Sequence, residues 1–160
     1  MSDTLAAKIE RGAILANLDA ADSEAVIRRL AGTLETLGYV RPSYVEAVLK
    51  REAQMPTGLP MGGDSNVAVP HTDPEHVLRA GIALATLARP VEFANMEDPD
   101  EAVPVRIVFM LAIDDKDRQI DTLQQVLMTI QDEALVGRML AAQTAEDLHA
   151  LLAKAAEEGE

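Results

Sequence analysis

The chain has 160 residues, 48% hydrophobic and 26% charged, the size of one globular domain able to bury a core. With two Phe, two Tyr and no Trp, a surface that stacks nucleobases or sugar rings is excluded. Fourteen basic residues against 27 acidic ones give a formal charge of −13, which repels phosphate backbones and anionic lipid heads, and with no cysteine there is no disulfide, thiolate metal site or thiol nucleophile.

The opening Met1 to Lys8 lacks the basic start and apolar stretch of a signal peptide, and the densest apolar run, Ile107 to Ile113, is too short to span a bilayer. A cytoplasmic protein with no nucleic-acid partner and no direct membrane insertion is expected.

Residues 13–18 (AILANL) read as a short strand. Asp22-Ser23 opens a helix whose Val26, Ile27, Leu30, Leu34 and Leu37 keep helical spacing, with Gly38 closing it. A second helix is expected from Pro42, with Ser43 and Glu46 spaced as a capping box and Tyr44, Val45, Val48 and Leu49 leading to Arg51-Glu52. Met55 to Asn66 (MPTGLPMGGDSN) is an aperiodic Gly/Pro loop. Strands are expected at 67–70, 80–87 and 91–93. The strongest lies at 103–113, apolar on both faces except at Arg106, as suits an interior strand. Helices at 116–131, 133–142 (after an Asp132 cap) and 145–156 (after Thr144) finish the chain. The order implies a single α/β domain over 1–160, a mixed sheet flanked by helices, without a Rossmann alternation.

Gly58, Gly62 and Gly63 match neither a P-loop nor a GxGxxG turn, and Ser65 lacks a nucleophile elbow. His71 ends a strand, follows a proline and lies just past the glycine-rich loop, where α/β layers present reactive groups; a structural histidine is the competing reading. His76 and His149 read as structural. The run His71-Thr72-Asp73-Pro74-Glu75-His76 has the form HxDxxH, but Pro74 breaks the helix that would bring its ends together, so no metal is expected. Arg51-Glu52 taken alone reads as a solvated helix end. The acidic clusters at 97–101 and 114–117 read as solvated turns.

Arg51-Glu52, Pro56-Thr57-Gly58-Leu59, Val67-Ala68-Val69-Pro70-His71-Thr72-Asp73, Pro90-Val91-Glu92-Phe93 and Val105 to Leu111 together resemble the IIA component of the sugar phosphotransferase system, and more narrowly the galactitol-type branch of the fructose/mannitol IIA family. The resemblance covers about residues 10–156. It implies a phosphocarrier without a cofactor, in which His71 accepts a phosphoryl group from HPr and passes it to a cysteine of a IIB component that works with a membrane IIC. It further implies Arg51 as charge stabiliser and Thr57 and Gly58 as phosphate-binding donors. Gln119 stands where the fructose and mannitol branches carry a second histidine, and is expected to orient the imidazole or the phosphate through its amide. A IIA-like regulatory protein controlled by phosphorylation of His71, and a metal-dependent hydrolase using His71, Asp73 and His76, are the other readings.

Overall fold

The computed structural model describes residues 4–63 and 65–158. Helix α1 (Leu5–Lys8) leads into strand β1 (Ile9–Leu18), followed by helices α2 (Ser23–Thr36) and α3 (Tyr44–Gln54). Two short strands, β2 (Gly58–Leu59) and β3 (Asn66–Ala68), precede a 3₁₀ turn at Pro74–His76. The long strands β4 (Gly81–Ala94) and β5 (Ala102–Ala112) and helices α4 (Lys116–Thr129), α5 (Glu133–Ala141) and α6 (Ala145–Glu158) complete the chain.

The five strands form one mixed sheet in the order β1-β4-β5-β3-β2, with β1 parallel to β4, β4 antiparallel to β5, β5 parallel to β3 and β3 antiparallel to β2. β5 is interior, as its doubly apolar pattern requires. Because side chains alternate across a strand, Val108, Met110 and Ala112 face one layer with Ala83, Ala85 and Leu87, while Ile107, Phe109 and Leu111 face the other with Ile82 and Leu84. The first layer is closed by Val26, Leu30 and Leu34 of α2 and Tyr44 and Val48 of α3. The second is closed by α1, α4, α5 and α6 through Leu5, Val126, Leu135, Met139, Leu148 and Leu152. None of the described helices is long and apolar enough to cross a membrane.

Caps at Asp22 and Asp132 bond Ala25 N–H and Leu135 N–H as their sequence positions imply, and Gly38 takes φ +85°, a left-handed value that suits glycine at a helix end.

Four expectations are corrected. The first strand starts at Ile9; the half-buried Glu10 and the exposed Arg11 and Gly12 break the apolar pattern and hide its beginning. Residues 80–87 and 91–93 belong to one strand, β4, with an irregularity between Thr86 and Val91 at Pro90, which has no N–H for a ladder; Arg106 Nε donates to the Leu87 carbonyl freed there (2.7 Å). The loop of 55–66 contains β2. The capping box of the second helix does not form: Ser43 is already αR and makes no side-chain cap, its Oγ meeting His76 Nδ1 (2.8 Å), while Glu46 receives Arg28 Nη1 (3.1 Å).

Candidate active site

The ladder of β3 stops at Ala68, and the chain runs on through Val69 and Pro70. Proline cannot donate, yet its carbonyl accepts Leu111 N–H (3.0 Å), and His71 forms an isolated parallel bridge with Leu111. His71 is thereby fixed beside the C-terminal end of β5, partly buried.

Among the described residues its ring has one hydrogen-bond partner. Nδ1 lies 2.8 Å from the Val69 carbonyl oxygen, which can only accept, so Nδ1 carries the hydrogen and Nε2 the lone pair. Burial pushes the imidazole pKa below its ordinary 6.5; the Val69 bond opposes this, the Arg51 charge adds to it and Asp73 acts against it. The group is a neutral Nδ1–H imidazole at neutral pH.

Arg51, on the last turn of α3, reaches this site through Asp73, with Nη1 donating to Oδ1 at 3.0 Å. The helix is held to the sheet by Tyr44, fully buried, whose hydroxyl donates to the Leu111 carbonyl (2.7 Å). Burial raises the Tyr44 phenol far above the range in which it could ionise in the cell.

Thr57 is buried directly behind the histidine segment. Its hydroxyl donates to Glu52 Oε1 (2.8 Å), its N–H donates to Glu52 Oε2 (2.8 Å), and both its Oγ1 and its carbonyl accept from Val69 N–H (3.3 Å each). The structure therefore uses the Thr57 donors internally, against their expected role toward phosphate. Gly58 likewise serves the backbone: it pairs with Ala68 and bridges Asn95, and a Cβ there would stand 2.5 Å from the Ala94 carbonyl oxygen. Gln119, in the first turn of α4, donates through Nε2 to the carbonyl of Thr72 (3.0 Å), the residue after His71.

The structure thus brings Arg51, His71, Asp73 and Gln119 to one end of β3 and β5, with Thr57 beneath them. His76 turns to Ser43, and His149 Nε2 lies 3.2 Å from the Ala6 carbonyl on the other layer. Among the described residues no group of three or more His, Cys, Asp or Glu is placed to hold a metal. Sequence reasoning missed Glu52, read only as half of a charged pair, and the engagement of Arg51 by Asp73. The one available signal for Glu52 was an acidic residue five positions before a threonine that opens a glycine turn.

A family model for the phosphoenolpyruvate-dependent sugar phosphotransferase system, EIIA 2, matches residues 8–155. The mannitol-specific EIICBA component of Escherichia coli (strain K12) is 33% identical over 137 residues, 84% of this chain and 20% of that protein. The galactitol-specific EIIA component of the same strain is 25% identical over 119 residues, 74% of this chain and 78% of that protein. Among solved structures, the complex of enzyme IIAMTL and phosphorylated enzyme IIBMTL from Escherichia coli superposes with a TM-score of 0.74 at 29% identity, covering 92% of this chain and 98% of that one. The chain spans only a third or less of the larger relatives, 33% of a multiphosphoryl transfer protein of Escherichia coli O157:H7 among them. Mannitol and galactitol relatives match comparably, so these likenesses separate no branch.

Proposed function

Since the chain belongs to the phosphoenolpyruvate-dependent sugar phosphotransferase system EIIA 2 family, we propose that it is a phosphocarrier taking a phosphoryl group from phospho-HPr onto His71 and passing it to a IIB partner. The observation that carries this reading is the imidazole fixed by Val69 as its Nδ1–H tautomer, next to the Arg51 charge.

In the accepting step the Nε2 lone pair attacks phosphorus. The donor's N–P bond breaks, and its electron pair returns to the donor imidazole. A new Nε2–P bond forms, and the positive charge that develops on the His71 ring is spread through Nδ1–H to the Val69 carbonyl. Arg51, drawn from Asp73, meets the phosphoryl oxygens with its planar fork. In the second step a thiolate of the IIB partner attacks phosphorus, and the N–P electron pair returns to Nε2. The transfer needs no metal or cofactor. Gln119 supports the site by holding the backbone at Thr72.

The solved complex of a related IIA with its phosphorylated IIB supports the choice of acceptor. With a membrane IIC, the carrier serves uptake of a sugar or polyol, galactitol-like or related.

Incubation with phosphoenolpyruvate, enzyme I and HPr, followed by intact mass measurement under neutral or alkaline conditions, tests the reading. One acid-labile phosphoryl group is expected in wild type, His76→Ala and His149→Ala, and none in His71→Ala. Stoichiometric labelling of His71→Ala refutes the assignment.

A further inference from the structure

We propose that Glu52 is a positioning residue for the chemistry at His71, acting through the hydrogen-bond chain Glu52, Thr57, Val69, His71. The proposal rests on His71 as phosphoryl acceptor and assigns a task to a carboxylate that the transfer itself does not touch.

The chain has a direction, and Glu52 sets it. An ionised carboxylate only accepts, so the single proton of the Thr57 hydroxyl goes to Oε1 and the Thr57 N–H to Oε2, each at 2.8 Å. With its proton engaged, Oγ1 turns lone pairs to Val69 N–H (3.3 Å), which the Thr57 carbonyl also accepts (3.3 Å). Pro70 confines Val69 to extended backbone, so anchoring Val69 N–H also fixes where its carbonyl points. That carbonyl takes the Nδ1–H of His71 at 2.8 Å and leaves Nε2 as the nucleophile.

Two further observations separate this role from that of a surface charge. Arg51, the neighbour of Glu52 in sequence, is engaged by Asp73, so Glu52 is not the partner of that guanidinium. Burial, the larger effect, raises the Glu52 pKa and the two Thr57 bonds oppose it; both carboxylate oxygens accept from Thr57 donors, the pattern an ionised carboxylate makes. A mere anchor for the turn at Thr57 would need only the bond to its N–H. The second bond, to the hydroxyl, is the one that reaches the imidazole.

The test reads the tautomer in unphosphorylated protein labelled with ¹⁵N, through long-range proton–nitrogen correlations of the His71 ring, alongside single-turnover acceptance from phospho-HPr. Wild type and Glu46→Gln, altered on an exposed position of the same helix, should show the Nδ1–H form. Glu52→Ala and Thr57→Val should populate the Nε2–H form and slow acceptance about tenfold, the scale of one neutral hydrogen bond. Glu52→Gln keeps an oxygen for Thr57 N–H and should recover part of both. If Glu52→Ala folds and keeps the wild-type tautomer and rate, the proposal is overturned; if it does not fold, the same result in Glu52→Gln and Thr57→Val overturns it. Should wild type take no phosphoryl group while the tautomer still follows these variants, the phosphocarrier reading fails and the orienting chain stands.

Discussion

Removing the Arg51 guanidinium separates a role in transfer from a role in folding. The Arg51 and Asp73 side chains are 31% and 49% exposed, so their ion pair is screened by water and contributes at most about 1 kcal/mol to stability. Arg51→Ala should therefore remain folded. In transit, the phosphoryl group carries charge spread over its oxygens, and loss of one positioned charged donor typically costs about 2 to 4 kcal/mol of transition-state stabilisation. At about 1.36 kcal/mol per decade this is roughly a 30- to 900-fold loss in rate. Arg51→Lys keeps the charge without the fork and should recover only part of it. Asp73→Asn should act in the opposite sense, because the carboxylate holds Arg51 back and repels the incoming group. Rapid-quench single turnovers from phospho-HPr, read by intact mass, measure all four proteins. If wild type, Arg51→Lys and Arg51→Ala agree within about twofold, Arg51 is a helix-end charge and the reasoning is wrong.

Burial, with the Arg51 charge adding to it, holds the His71 pKa below 6.5, so the acid limb of the single-turnover rate should lie below that value; a midpoint at or above 6.5 contradicts the neutral buried imidazole. The same depression implies that the unfolded chain binds this proton first as pH falls. Stability present above pH 6.5 is then lost on descent toward the folded pKa, and denaturation midpoints of His71→Ala should fall less than those of wild type over this window. Gln119→Ala removes the donor to the Thr72 carbonyl and should slow transfer by up to about tenfold, as for a neutral hydrogen bond, whereas a thousandfold loss would mean direct contact with the phosphoryl group. Gly58→Ala places a methyl 2.5 Å from the Ala94 carbonyl oxygen and should destabilise by about 1 to 3 kcal/mol; an unchanged thermal midpoint would show that β2 yields freely.

Much of the layered architecture was legible because burial leaves a periodic trace. The unbroken apolar run from Ile107 to Ala112 marks an interior strand covered on both faces, and Val26, Leu30 and Leu34 mark a helix face. Edges were harder to read. β1 begins with a buried Ile9 followed by the half-buried Glu10 and the exposed Arg11 and Gly12, and β2 is two residues whose pairing depends on partners eight and ten residues further along the chain. At the site, His71 stood out by its proline and its loop. The bonds of Thr57 and Glu52 did not, because hydroxyls and carboxylates look alike in sequence whether they meet a phosphate or one another. Ser43 shows the same limit: its spacing to Glu46 fits a cap, but tertiary contact gives each a different partner, His76 and Arg28.

Tyr44 and Arg51 lie on one helix, the phenol held by the Leu111 carbonyl and the guanidinium by Asp73. Seven residues of helix separate them, about 10.5 Å at 1.5 Å per residue. A tilt of roughly 5° about the Tyr44 contact would swing the far end by about 0.9 Å, and a misplacement of that size can cost on the order of a hundredfold in rate. The hydroxyl that clasps the Leu111 carbonyl is thus the fulcrum of a lever whose load is the charge at Arg51. Because that same Leu111 is bridged to His71, the Tyr44 contact and the imidazole share one strand residue, and a shift of β5 would carry both together and preserve their spacing.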